Sequence, residues 1–387
     1  MISRTAVRCA VALVAMAAAA PASSAVGGQT ATSPRLAMSN LDSQIVGLRQ
    51  RVGGCGSPAG PALDLAEMLA FRARLASRMA DSREALALVE AVWACGGEDP
   101  RVAVARASIL AHFHRFDEAA LAIETARSRG ASAAELRAVR AVVLHGQGKY
   151  EAALALRTEE VEKYPNAQTL GALAVLLGDM GRTADAEIHF ERAVREYRDA
   201  SPIPLAWLHF SRGKMLFQAD RLAEARAAFE QARGLLPELA ANLGLLAEVH
   251  FDLGNPAVAI GMLRRLAVES DDPDFAAHLA RMLIAEGRAD EAAAWRSQAE
   301  AGFDALMKEA PEMYADHAAE FWMAAGDDPP RALRAAVINL TARRTPRAIE
   351  LFEATLANAS DAPDDCRAAG RSGAPLELCR TALLAAR

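Results

Sequence analysis

Five cysteines and eight histidines are the residues of this 387-residue chain best suited to redox or metal chemistry. Their spacing points to structural duty instead. Cys9 lies in the N-terminal apolar run, which leaves Cys55, Cys95, Cys366 and Cys379. No pair of these forms the Cys-x-x-Cys arrangement that lowers a thiol pKa. Four thiols in an exported chain favour disulfides, and three pairings are open on count alone. His112 and His114, two apart, point about 160° away from one another on a helix and do not chelate as a pair. His145, His189, His209, His250, His278 and His317 fall in separate segments without a cysteine or carboxylate at ligand spacing, so histidines satisfied by helix packing are expected and no metal is. There is no Gly-x-Ser-x-Gly elbow, phosphate-binding glycine loop or His-Glu-x-x-His helix. Paired acids at Asp271-Asp272, Asp327-Asp328 and Asp364-Asp365 stand beside prolines, where turn formation and helix starting explain them. Neither a catalytic group nor a cofactor is expected.

The elements that carry these residues are set by a repeat. Alanine recurs at Ala85, Ala119, Ala153, Ala186, Ala225, Ala259, Ala292 and Ala332, in steps of 34, 34, 33, 39, 34, 33 and 40 residues. A fixed period of this size belongs to stacked supersecondary units. Apolar residues between the markers recur at three- and four-residue intervals, with no sustained strand alternation, so each unit reads as two helices. A second small residue stands 12 positions before each of the first seven markers, at Ala73, Ala107, Ala141, Ala174, Gly213, Ala247 and Ala280. Small residues at both places let two antiparallel helices approach closely. Glycine or a polar residue five positions before several markers, as at Gly148, Gly181, Gly254 and Gly287, accepts the left-handed conformation that ends a helix.

Within this repeat Cys55 precedes the first helix of the first hairpin and Cys95 follows its second, so antiparallel packing selects a Cys55 to Cys95 bridge. Cys366 and Cys379 would then staple the other end. Loop-closure entropy assigns about 4 and about 3 kcal/mol to the two bridges. Both ends of the array, where a unit has only one neighbour, would be reinforced.

Residues 1–25 read as a cleaved export signal, with Arg4 and Arg8 before the apolar run Cys9 to Ala20 and small residues at Ser23-Ser24-Ala25. Cleavage after Ala22 also fits. The apolar run is too short to span a bilayer, and no later stretch is long and uncharged enough, so a soluble periplasmic or secreted mature chain is expected. Loss of the two arginines moves the net charge from -6 to -8. Arginines are interspersed with acids rather than gathered in a basic stripe, so nucleic acid is not an expected partner. Residues 26–60 read as a lead-in with a short helix from Leu41 to Val52, 61–358 as seven or eight repeats ending in a helix at Pro346–Asn358, and 359–387 as a stapled cap with a linker and one helix from Pro375.

The pattern resembles the tetratricopeptide repeat. Gly213, Leu216, Ala225, Phe229, Ala232 and Pro237 match its consensus, as do Leu170, Leu173, Ala174, Leu177, Ala186, Phe190 and Ala193. Arg157 and Arg296 depart from it, standing where the family has a large apolar residue. The resemblance implies an all-α solenoid, a right-handed superhelix of helical hairpins whose first helices line a concave face. That rule turns Arg74, Val142, Val175, Trp207, Phe210, Lys214, Phe217, Glu248, Phe251 and Arg281 toward the groove. Trp207, Phe210, Lys214 and Phe217 share one helix face, and aromatic anchors flanked by charges suit an extended peptide or partner helix. Gap filling between units is the competing use for those aromatics.

The expected activity is a non-catalytic protein-binding scaffold of the cell envelope. An envelope assembly factor differs only in its partner, and a glycan-active enzyme on a helical array would require two acids converging in a cleft. Thiol-trapping mass spectrometry on the exported chain is expected to recover the peptides of Cys55 with Cys95 and of Cys366 with Cys379; Cys55 joined to Cys366 would refute the placement of the chain ends.

Overall fold

The computed structural model describes residues 32–372 and 376–385, and the export signal expected at 1–25 lies outside them. Among the described residues every regular element is a helix. Helix α1 (Pro34–Arg49) precedes eight antiparallel hairpins: α2 (Gly60–Ala76) with α3 (Met79–Ala94), α4 (Pro100–His112) with α5 (Phe116–Ser128), α6 (Ala133–Gly146) with α7 (Tyr150–Lys163), and α8 (Ala167–Asp179) with α9 (Thr183–Glu196). The second four are α10 (Pro202–Gln218) with α11 (Leu222–Leu235), α12 (Ala240–Asp252) with α13 (Pro256–Glu269), α14 (Pro273–Ala285) with α15 (Ala289–Glu309), and α16 (Pro311–Met323) with α17 (Pro329–Ala342). Helices α18 (Pro346–Asn358), α19 (Asp364–Ser372) and α20 (Leu376–Ala385) complete the chain. It is an all-α solenoid.

The helix crossings explain the spacing of small residues. All eight marked alanines are at most 2% exposed, and the small residues facing them in the first helices are buried as well. At Gly213 a β-carbon would lie 2.6 Å from the Phe229 ring of the next helix, so this crossing accepts only hydrogen there. The turns follow one rule too. Gly148, Gly181, Gly254 and Gly287 take φ of 73 to 79°, and His114, Asp220 and Asp327 fill the equivalent positions with φ of 57, 58 and 51°. Gly148 has a second reason to be glycine, because a β-carbon there would overlap the Arg344 carbonyl.

The two insertions are absorbed without breaking the stack. The 40-residue step is taken up largely by α15, which runs 21 residues. The 39-residue step goes into the 197–201 loop, where the Tyr197 hydroxyl donates to the Ser201 carbonyl, and into a 17-residue α10. Arg157, out of place for an apolar site, pairs with buried Glu160 at 2.6 Å.

Both ends differ in detail from expectation. Helix α1 starts at Pro34 rather than Leu41, because Ser33 caps it by accepting from the Leu36 N–H and Pro34 occupies the first turn, where a missing N–H costs nothing. Its stripe of Ala37, Leu41 and Ile45 is buried. The C-terminal segment forms two helices rather than one, α19 against α20, joined by a Cys366–Cys379 bond with 4.3 Å between α-carbons. Cys55 is bonded to Cys95 across the first hairpin, with 5.4 Å between α-carbons.

The array also touches itself. Turns of the first three hairpins meet loops that follow the sixth, seventh and eighth. Met79 and Ala80 N–H groups donate to the Asp271 carboxylate at 2.8 and 3.2 Å, and the Ser270 hydroxyl donates to the Ser77 carbonyl. His114 Nδ1 lies 3.1 Å from the Glu312 carbonyl oxygen, and the Arg344 N–H donates to the Gly146 carbonyl. Across the interior α2 packs on α12 and α1 on α10. The superhelix therefore closes on itself after six hairpins, and the inward side of its first helices is here called the lumen.

Ala225→Leu is expected to lower unfolding free energy by about 1 to 3 kcal/mol through overpacking, as measured by urea denaturation. An unchanged midpoint would mean the α10–α11 crossing has slack.

Candidate peptide-binding lumen

On the first helices the residue that follows each crossing residue occupies one common register position, the one expected to face inward. Lys214 follows Gly213 on α10, Glu248 follows Ala247 on α12, Arg281 follows Ala280 on α14, and Glu320 follows Ala319 on α16. The same rule extends to Glu320, which the sequence reading passed over. In the last unit an added turn residue moves the small position to Ala319.

Glu248, Arg281 and Glu320 enter a row of ion pairs that runs from α12 through α14 and α16 to α18. Glu248 lies 2.8 Å from His278 Nδ1 and 3.5 Å from Arg281. The other nitrogen of His278 faces Asp274 at 3.4 Å, and Asp274 also meets His317 Nδ1 at 3.3 Å. Asp316, beside His317 in sequence, pairs with Arg343 at 2.7 Å, while Glu320 pairs with Arg347 at 2.7 Å. Further along, His145 of α6 reaches Asp179 of α8 at 3.1 Å. The histidines are thus not free of carboxylates, as the spacing had suggested. Asp274 stands four residues before His278 and so shares its helix face, whereas Glu248 arrives from the neighbouring repeat.

Charge state follows from these contacts. Coulombic attraction to Asp274 pushes His317 up to about 10 against the opposing effect of burial. Burial likewise opposes protonation of His278, but Glu248 and Asp274 outweigh it and hold the ring protonated well above the usual histidine value. With a proton on each nitrogen, such rings have no lone pair to offer a metal. Burial would raise Glu248 and Asp316, yet His278 holds the first below its ordinary value and His317 with Arg343 holds the second there. Asp272, buried beside Asp274, is pushed up to about 6. His112 and His114 are the opposite case, since burial lowers them to about 3 and about 4.

Lys214 stands apart. Burial lowers its ammonium below the ordinary lysine value, Asp179 pulls the other way, and among the described residues no carboxylate lies within ion-pair distance. The aromatic residues near it are tied to packing. Trp207 lies on Phe210 with centroids 5.2 Å apart, and Phe210 on Phe229 of α11 at 6.2 Å. Phe210 is buried, while Trp207, Phe217 and Phe251 are half-buried against the apolar clusters of their repeats. The structure therefore brings Glu248 and Arg281 together, leaves Lys214 unpaired nearby in the array, and seats the aromatics partly in the core.

Three segments, 104–167, 172–240 and 245–306, match the tetratricopeptide repeat family and together span half of the chain. The chain belongs to the tetratricopeptide repeat family. Solved structures with similar architecture include the human IFIT1 dimer with PPP-AAAA, at 13% identity over 90% of this chain and 94% of that one, with a TM-score of 0.47. PilF of Pseudomonas aeruginosa matches at 18% over 55% and 91%, with a TM-score of 0.33. A tetratricopeptide repeat protein from Parabacteroides merdae matches at 18% over 61% and 92%, with a TM-score of 0.40. No curated protein sequence matches the chain. The family assignment rests on the three sequence segments.

In this tetratricopeptide array the charged row should register in pH dependence. Because the folded pKa of His317 is raised, its contribution is fully present below the unfolded value of about 6.5 and is lost as pH rises toward about 10. Comparing His317→Gln with the parent by denaturation between pH 6.5 and 10 is expected to show a shallower alkaline decline in the variant. Parallel curves would show that His317 carries no stabilising charge.

Proposed function

We propose that this tetratricopeptide protein is an exported, non-catalytic scaffold that holds an extended segment or helix of a protein partner in its lumen. Tetratricopeptide arrays act in general as protein-interaction scaffolds. The observation that carries the finer reading is Lys214, a cation on the inner face with no carboxylate partner, close in the array to the paired Glu248 and Arg281. A desolvated and unsatisfied charge on a concave surface gains from a partner that supplies the missing counter-charge. Trp207, Phe210, Phe217 and Phe251 shape the wall beside it. Two disulfides, and the fact that no described helix is long and apolar enough to cross a membrane, are compatible with export. A closed, cross-braced array also loses little conformational freedom on binding.

A role as an envelope assembly factor is the same physical reading with a particular partner. The glycan-active alternative draws no support from the lumen, since Glu248, Asp274, Asp316 and Glu320 each face a cation rather than converging as a free pair.

A photo-crosslinking amino acid placed at Arg281, and separately at Leu121 on the exposed side of α5, provides the test in envelope extract. A discrete adduct is expected from Arg281 alone, and Lys214→Glu is expected to weaken it at least about tenfold. Equal adducts from both positions, or indifference to Lys214→Glu, would overturn the reading.

A further inference from the structure

A cavity of about 780 Å³ opens where the two ends of the array meet, away from the charged row of the lumen. One wall is the turn and first residues of α5, including His114 and Phe116, and the other is the end of α15, the face of α17 and the terminal helix α20. Its size is within the usual range for small-molecule sites. On α17 the positions Arg331, Arg334, Ile338 and Thr341 are spaced 3, 4 and 3 apart and so form one stripe, cationic toward the start of the helix and largely apolar toward its end. Met307, Val337, Ile338 and Leu383 continue the apolar part, with Phe116 opposite.

The charges around this apolar space are unequal in their partners. Arg331 is already neutralised by Glu300 and Asp304 and lies over the Trp322 ring at 4.0 Å. Arg115 is paired with Glu118 at 2.6 Å. Asp117 and Glu312 sit in the first turns of α5 and α16, where exposed helix N–H groups offset negative charge, and Asp117 also accepts from the Gln147 amide. Lys308 and Arg334 have no carboxylate within ion-pair distance among the described residues. Lys308 stands exposed at the rim in the last turn of α15, where the helix end offers a weak offset, and half-buried Arg334, in mid-helix, has none.

We propose that this cavity binds a single-chain anionic amphiphile, with the alkyl chain along Met307, Ile338 and Leu383 and the carboxylate between Lys308 and Arg334. An apolar slot ending in unpaired cations matches that chemistry, because a bound carboxylate would form charge-assisted hydrogen bonds while its chain leaves water. The ligand would touch α5 on one side and α17 on the other, so it would brace the closure of the array. The site is independent of the lumen and of any partner held there.

Sodium laurate, titrated into the full mature chain below its micelle concentration, is the probe, followed by calorimetry and thermal melting. Saturable binding of one equivalent and a raised melting temperature are expected, with dodecyltrimethylammonium inert. Lys308→Ala with Arg334→Ala is expected to weaken laurate at least about tenfold while leaving the unliganded melting temperature unchanged. Ile338→Trp, which fills the slot, is a second variant expected to abolish binding even if its own stability shifts. The proposal falls if laurate does not bind, if the cationic amphiphile binds equally, or if the double variant binds as the parent does. It falls equally if an acidic amphipathic peptide binds there and laurate fails to displace it, since the site would then be a protein-docking surface.

Discussion

Helices in this protein approach one another as closely as a methyl group allows, and the rest of the architecture depends on that contact. An antiparallel pair with a buried alanine or glycine at its crossing lets two backbones approach closely, and each hairpin carries such a pair. Uniform crossings produce a uniform rotation from one hairpin to the next, so the array curves regularly. That regularity tolerates insertion only where the added residues stay off the crossing. The long α15 and the loop before α10 both satisfy this, because each places its extra length beyond the contact.

Curvature has a consequence at the edges. After six hairpins the turns of the first repeats come to lie on the loops of the last, and peptide groups such as those of Met79, Ala80 and Arg344 find partners almost 200 residues away in the chain. A terminal repeat in an open solenoid would leave one face bare. Here that face is covered by α1 and by contact across the interior, and buried Arg72 binds Asp42 of α1 and Asp81 of α3 at once. The two disulfides tighten the remaining loose segments. Burial on this inner face works against charge, and it is the close counter-charges that hold His278 and His317 protonated and Glu248 ionised.

The helical period, hairpin boundaries and turn residues were legible because each is a local consequence of side-chain size or backbone freedom. Residues next to the crossing positions share one register on their helices, but a 12-residue step back from Ala332 lands on Glu320 itself, so its place beside the crossing emerges only once the added turn residue before α17 is counted. The pairing of His278 was half visible, since Asp274 is one helical turn away. Its other partner, Glu248, lies 30 residues back, and no local pattern marks it. Trp207 and Phe217 illustrate a different difficulty. A helix face can be read from spacing, but whether that face meets solvent, a partner or another helix of the same chain depends on what curls round to cover it. Likewise, Ser33-Pro34 was a helix start hidden inside a segment with too little apolar periodicity to draw notice.

Taken alone, the sequence determined the unit: two helices, a small residue on each at the crossing, a left-handed turn between them, and cysteines placed to clamp the first and last elements. These are interactions between residues near in the chain, so composition and spacing encode them directly. Only the tertiary structure decided that the array closes, which inner-face charges meet, and that a second cavity opens at the closure. Those outcomes depend on the rotation between successive hairpins, and a small change in it leaves no trace in the order of residues yet, summed over six units, moves the chain ends past one another.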